Sequence, residues 1–167
     1  MEGQGYSYER TDWWNHILSL PAPRVVVIED MDQPAGVGAF VGEVNAHILL
    51  SLGCAGLVTN GAVRDLNEVR PTAFQMFAGN ISVSHAYAHI LDFGGPVVVG
   101  GLEIQPGDLI HADRNGVQTI PLEIVSEIPD MARRIQARRR KLISLCGSNE
   151  FSLELLRKAI KEPELQS

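Results

Sequence analysis

Three carboxylates and one guanidinium fall within one short span of the sequence, Gly42 to Glu68 (GEVNAHILLSLGCAGLVTNGAVRDLNE). Glu43 opens the span, Arg64 and Asp65 stand side by side near its end, and Glu68 closes it. Such a set suits a divalent cation together with a keto acid. Mg²⁺ prefers octahedral oxygen coordination, gives up water reluctantly, and is usually held by one or two carboxylates plus water and substrate oxygens. Asp65 can supply the direct ligand, with Glu43 and Glu68 holding the cation's waters. Arg64 offers a planar fork suited to a carboxylate or a developing enolate oxygen. Behind Gly42, the N–H groups of Val44, Asn45 and Ala46 at a helix start form an anion site. A 2-keto acid satisfies all three, with its carboxylate on the helix start, its carboxylate and keto oxygens on the metal, and its enolate charge on Arg64.

The elements that must position these groups are legible around them. Val44, Ile48, Leu49 and Leu52 recur at helical spacing and predict an amphipathic helix over Val44 to Leu52, with Gly53 just past its end. Ala55 to Val58 then reads as a short strand, and Asn60-Gly61 as a turn that carries Arg64 and Asp65 just beyond the strand's carboxyl end. In α/β layouts, helix starts and strand ends meet at one crevice. If residues 64 to 68 are helical, Glu68 can reach Arg64 at i,i+4 or Asp65 at i,i+3.

Composition excludes several classes. A chain of 167 residues with 45% hydrophobic and 20% charged residues fits one ordinary globular domain. Its net charge of −6 argues against a general nucleic-acid binder. No apolar run approaches the ~18–20 residues of a membrane span, and the polar, acidic N-terminus lacks the pattern of a signal peptide. Cytoplasmic residence is the expectation. Cys54 and Cys146 match no zinc spacing, and Cys54, between Gly53 and Ala55-Gly56, reads as a small buried hydrophobe.

Elsewhere the pattern is mostly structural. Residues 1–10 read as a loop, followed by a short helix capped by Thr11 or Asp12, with Trp13, Trp14, Ile17 and Leu18 on its apolar face. Arg24 to Glu29 (RVVVIE) is a buried strand, with Glu29 and Asp30 at its carboxyl end. Ala35 to Gly42 is glycine-rich but matches neither GxGxxG nor a P-loop, and reads as a loop that approaches a ligand closely. Phe74 to Phe77 reads as a strand and Gly79-Asn80 as a turn. His85 and His89 could pair on a helix, but no third metal ligand stands near. The alternation of Ala86, Ala88 and Ile90 fits a strand equally well. Short strands follow at Pro96 to Val99, Leu102 to Ile104, Leu109 to Ala112 and Val117 to Ile120, the last two joined by Asn115-Gly116, a strong hairpin signal. Asp108 and Asp113 read as turn-fixing residues. Glu123 to Leu145 reads as a helix, with its long part starting near Pro129 and a basic face of Arg133, Arg134, Arg138, Arg139, Arg140 and Lys141. Ser152 opens a last helix, Leu153 to Lys161, and Pro163 ends the ordered chain.

Glu43, then 20 residues, then Arg64-Asp65, then two residues, then Glu68 resembles the signature of the class II 4-hydroxy-4-methyl-2-oxoglutarate aldolases. That family also contains the RraA-type regulators of ribonuclease activity. The run PGDLIHADRNGVQTIP, Pro106 to Pro121, resembles its late hairpin. The resemblance implies an α/β fold, the swivelling β/β/α three-layer sandwich, as a single domain that lacks an N-terminal segment found in relatives. Its divisions would be 1–23 (loop and short helix), 24–125 (core) and 126–167 (C-terminal helices). It further implies Mg²⁺ or Mn²⁺ at Asp65, catalysis by Arg64, Glu43 and Glu68, and substrate binding by Arg64, Gly42, Val44, Asn45 and Ala46. The expected activity is carbon–carbon lysis of a 4-hydroxy-2-keto acid, or decarboxylation of oxaloacetate, through the enolate of pyruvate. A homotrimer or homohexamer with sites between subunits is implied. The alternative is a non-catalytic oligomer that binds a ribonuclease. In one respect the chain departs from the pattern: its C-terminal region is arginine-rich where relatives carry an acid that assists proton transfer.

Overall fold

The computed structural model describes residues 8–161. It divides into two compact units, Met1–Thr119 and Ile120–Ser167. The loop expected over residues 1–10 and the stop at Pro163 lie largely or wholly outside the described residues.

The first unit is organised on one long strand, β3 (Cys54–Val63). β1 (Arg24–Ile28) and then β2 (Ala39–Val41) run parallel to it, β1 alongside Cys54 to Thr59 and β2 alongside Ala62 and Val63. β4 (Gln75–Ile81) pairs with β3 in parallel from Gly56 to Val63. Parallel strands buried on both faces need unbroken apolar runs, and β3 supplies one, with Leu57 and Val58 fully buried. α1 (Arg10–Ser19) and α2 (Glu43–Ser51) contribute Ile17, Ala46 and Leu49 to the core, with Trp13 and Trp14 packed partly buried against it. α1 begins one residue before Thr11, after an extended Glu9 that makes no side-chain cap, so neither Thr11 nor Asp12 is the cap.

Two expected turns are strand interior instead. Asn60-Gly61 lies within β3 and Gly79-Asn80 within β4. The sequence signal is correct in kind, because the β3–β4 register shifts between Thr59 and Ala62. There the Asn60 side chain acts as a piece of ladder, receiving the Asp30 N–H at 2.7 Å and donating to the Asp30 carbonyl at 2.9 Å. Asp30 in turn accepts the Gly36 N–H at 2.8 Å, and Asn80 donates to the Gly36 carbonyl at 2.9 Å. These bonds pin residues 30–38 to the sheet. Asp30 and Glu29, which accepts the Val98 N–H at 2.8 Å, are therefore structural.

β5 (Val97–Val99) pairs antiparallel with β6 (Leu102–Ile104), and β7 (Leu109–Asp113) with β8 (Gly116–Ile120) forms the expected hairpin. Asp113 accepts the Asn115 N–H at 2.7 Å, and that bond holds its carboxyl below the ordinary carboxylate range. Asp108 accepts the Gln105 N–H at 2.8 Å. Both aspartates fix turns, as their type suggests.

In the second unit, Leu122–Ile124 is a 3₁₀ turn, so the long helix α4 (Ile128–Cys146) begins later than Glu123, with Pro129 in its first turn. Its arginines are mostly exposed, and Arg133 pairs with Asp130. Ser152 caps α5 (Leu153–Lys161), its hydroxyl accepting the Leu155 N–H at 3.2 Å.

Candidate active site

The site is built where β3 ends and α2 begins. Arg64 follows the last residue of β3, with its N–H on the Val41 carbonyl at 3.0 Å, so the chain is still tied to β2 at this point. Asp65 then adopts a left-handed conformation, φ 56°, the one positive φ at a non-glycine residue among the described residues. Aspartate tolerates this region better than most L residues, and such conformations concentrate at functional sites. The turn starts α3 (Leu66–Val69) and brings the Asp65 carboxylate to the mouth of α2, where Oδ2 accepts the Glu43 N–H at 2.9 Å. The same oxygen lies 3.4 Å from Arg64 Nε, and Arg64 Nη1 donates to the Ala39 carbonyl at 3.0 Å. The guanidinium is thus held at both ends, 17% exposed, beside a carboxylate that is 36% exposed.

Gly42 makes this packing possible. Its φ of −134° suits any residue, so conformational freedom is not the reason for glycine. Space is the reason: a Cβ there would collide with Asp65 Oδ2 and come within 2.9 Å of Arg64 Cγ and Nε.

The structure brings Gly42, Glu43, Val44, Asn45, Arg64 and Asp65 together and corrects several details. The Ala46 N–H is not free, because it donates to the Gly42 carbonyl at 2.9 Å as the first bond of the helix. With the Glu43 N–H taken by Asp65, the open donors of the helix mouth are those of Val44 and Asn45, which precede any intrahelical partner. The anticipated Arg64–Glu68 and Asp65–Glu68 contacts do not form among the described residues. Arg64 belongs to the strand end and Asp65 is left-handed, so neither lies on the helix that carries Glu68. Glu68 and Glu43 are both exposed. The apolar face of α2 is the expected one at Leu49 and Leu52, the first buried and the second packed against the core, but not at Val44. Ala46 and Leu49 are buried, while Val44 is 68% exposed and lines a shallow open groove with Glu43, His47, Ile48 and Ser51.

His85 and His89 lie on neither a helix nor a regular strand. Isolated bridges, Ala39 with His85 and Tyr8 with Ile90, tie the segment down at two points. Among the described residues, no group of three or more His, Cys, Asp or Glu is gathered to hold a metal. The donor chemistry of a lone, half-exposed Asp65 carboxylate fits a Mg²⁺ or Mn²⁺ ion that keeps most of its water, and not a closed protein cage. Cys54 is buried, as expected, and burial raises its thiol pKa against the opposing pull of Arg24. β2 was missed from the sequence because Ala39–Val41 sits in a glycine-rich run. The signal that could have found it is the apolar triplet between Gly38 and Gly42.

Over residues 8–118 the chain matches the RraA-like family, described as Aldolase/RraA, and it belongs to that family. A Legionella pneumophila protein, DlpA, is 31% identical over 139 residues, covering 80% of this chain and 22% of that protein. A Halalkalibacterium halodurans protein named "Putative 4-hydroxy-4-methyl-2-oxoglutarate aldolase" is 32% identical over 100 residues, covering 59% of this chain and 48% of that protein. The crystal structure of an uncharacterised protein from Pseudomonas syringae pv. tomato matches with a TM-score of 0.66 at 27% identity, covering 86% of this chain and 71% of that one. The chain therefore spans about a fifth of the first relative and about half of the second. Its α/β fold is the fold of this family, consistent with a β/β/α sandwich. No helix among the described residues is long and apolar enough to cross a membrane.

Proposed function

We propose that the protein is a divalent-metal-dependent carbon–carbon lyase acting on a 2-keto acid, either a 4-hydroxy-2-oxo acid or oxaloacetate. The observation that carries this reading is the fixed pair at the mouth of α2: Asp65 Oδ2 on the Glu43 N–H at 2.9 Å, with Arg64 beside it and anchored on the Ala39 carbonyl. A relative named for 4-hydroxy-4-methyl-2-oxoglutarate aldolase activity supports it.

Asp65 would hold Mg²⁺ or Mn²⁺, whose chemistry when bound is Lewis-acid polarisation of the keto oxygen. Val44 and Asn45 present N–H groups to the substrate carboxylate at the positive end of α2. Arg64 stabilises the charge that develops on the enolate oxygen. It is already immobilised by its two contacts, so it needs no reorganisation as that charge forms, and oriented groups of this kind are worth ~3–4 kcal/mol in well-studied sites. Glu43 and Glu68, exposed on the first turns of α2 and α3, order water at the mouth. A homotrimer or homohexamer would close the site, which is open on one side in a single chain.

The test is pyruvate release from oxaloacetate and from 4-hydroxy-4-methyl-2-oxoglutarate, with Mg²⁺ or Mn²⁺ and with EDTA. Release above the metal-only background that EDTA abolishes is the expected result. No release from either substrate with either ion would refute the lyase reading and favour a non-catalytic oligomer that binds a ribonuclease.

A further inference from the structure

Beyond β4 the chain stays on the sheet. Ser82 donates its N–H to the Val63 carbonyl at 3.1 Å, Ala39 donates to the Ser84 carbonyl at 2.8 Å, and Ala86 donates to the Ala39 carbonyl at 3.2 Å. Residues 84–86 thus lie beside β2 through a single bridge, His85 with Ala39, without forming a regular strand. Gly38 permits this close approach, since a Cβ there would come within 2.8 Å of Ala86 Cα. Arg64 Nη1 donates to the same Ala39 oxygen at 3.0 Å. Two donors on one carbonyl oxygen make the His85–Ala86 peptide and the Arg64 guanidinium neighbours.

Val83 and Tyr87, two residues to either side of His85 in the chain, are each 97% exposed. His85 is exposed as well. The His85 backbone thus lies beside the Arg64 guanidinium, through the Ala39 carbonyl that both the Ala86 N–H and Arg64 Nη1 reach, and carries an exposed imidazole. Glu43 and Glu68 are exposed, and among the described residues no three acidic, His or Cys side chains gather to hold a metal. Arg64 is fixed by its side-chain contacts, whereas among the described residues no such contact fixes the carboxylate of Glu43 or Glu68.

We propose that His85 is the general base for the hydroxyl group of a 4-hydroxy-2-keto acid held at Arg64 and Asp65, an assignment that rests on the lyase reading above. The neutral imidazole takes the C4 hydroxyl proton. The oxygen's electron pair forms the new carbonyl, the C3–C4 bond breaks, and its pair becomes the enolate whose charge falls beside Arg64. The imidazolium then returns the proton to C3, so pyruvate and a carbonyl compound leave and the imidazole ends as it began. Imidazole is the side chain most often used for such transfers, which contribute ~10²–10⁴-fold to rate. Oxaloacetate has no hydroxyl proton to remove, and its CO₂ departs before any proton is needed at C3.

That difference is the test. His85→Gln and His85→Asn, in Mg²⁺, are expected to lose about a hundredfold or more in kcat on 4-hydroxy-4-methyl-2-oxoglutarate. They keep wild-type KM, CO₂ release from oxaloacetate within a few-fold, and calorimetric affinity for oxalate. His89→Gln serves as the control, because His89 lines a different hollow with Tyr8, Glu9, Arg10 and Trp14 and should leave both reactions unchanged. Equal loss of both reactions, loss of oxalate binding, or no loss in either reaction overturns the assignment while the lyase reading stands. Wild-type protein inert on both substrates overturns the two together.

Discussion

Gly42→Ala isolates the packing that sets the site. The backbone at residue 42, φ −134° and ψ −161°, accepts alanine without strain, so the added methyl acts through space alone. It would meet Arg64 Cγ and Nε at 2.9 Å and overlap Asp65 Oδ2. Restoring ordinary contact of about 3.5 Å moves Arg64 by about half an ångström and Asp65 by about an ångström. The Asp65–Glu43 bond, now 2.9 Å, then passes beyond hydrogen-bond reach. Loss of a helix cap of this kind costs about 1 kcal/mol, at the low end for a charged acceptor because Asp65 is half-exposed. For a chain of this size that lowers the melting temperature by about 2–4 °C. The functional cost is larger, since an ångström of misplacement at a reacting centre is worth about a hundredfold. The assay is Mg²⁺-dependent pyruvate release from oxaloacetate beside a thermal melt. Expected is a drop of about a hundredfold in kcat/KM with a small thermal shift. Unchanged turnover and unchanged Mg²⁺ half-saturation in Gly42→Ala would refute the role given to the Arg64–Asp65 pair.

Asp65→Asn keeps an acceptor for the Glu43 N–H and a residue that tolerates positive φ, so it should melt within about 1 kcal/mol of wild type while turnover falls at least about a hundredfold; an active Asp65→Asn would exclude Asp65 as the metal ligand. Arg64→Ala should lose turnover by a similar factor, and lactate-dehydrogenase-coupled kinetics at saturating oxaloacetate read it directly. Where light scattering finds a trimer or hexamer, Val83→Asp and Tyr87→Asp, at two nearly fully exposed apolar positions, should convert it to smaller species, and an unchanged assembly would place the subunit contact elsewhere. Cys54 should resist iodoacetamide in the folded protein while exposed Cys146 reacts. Because burial raises the Cys54 pKa above its ordinary 9.0, the unfolded chain releases that proton first. The corresponding stability is full below pH 9 and falls as pH rises past it, and Cys54→Ala should flatten that alkaline loss in urea titrations.

The elements were legible where burial and sequence period agree. β1 and the core of β3 announce themselves as β-branched and apolar runs, and the Asn115-Gly116 hairpin by its turn chemistry. Reading fails where a side chain substitutes for backbone. Asn60-Gly61 carries every local mark of a turn, yet Asn60 bonds both ways to the Asp30 backbone and keeps the strand running. β2, three residues among glycines, has too little pattern to show itself. The face of α2 was misassigned at Val44 because Val44 is as apolar as Leu49, and only the fold decides which stripe meets the sheet. For the site, residue types and spacing were enough to group Gly42, Glu43, Arg64 and Asp65. They could not show that Asp65 turns left-handed and spends an oxygen on the helix that was to receive the substrate.

That last feature bears on why a cation belongs in the reading at all. Within the site, the Asp65 carboxylate and the Arg64 guanidinium largely neutralise each other at 3.4 Å. Val44 and Asn45 offer only the partial positive charge of a helix end, about half an elementary charge at most, and Asp65 already draws on it. Oxaloacetate would add two negative charges to a mouth that also carries Glu43 and Glu68. Like charges about 4 Å apart repel by about 1 kcal/mol even in bulk water. A divalent ion would offset these charges, which is the reason a cation belongs in the reading. Oxalate calorimetry separates the cases: binding that requires Mg²⁺ or Mn²⁺ and vanishes in Asp65→Asn follows from this charge balance. Equally tight binding in EDTA would mean that the positive charge comes from elsewhere, and that the metal reading of Asp65 is wrong.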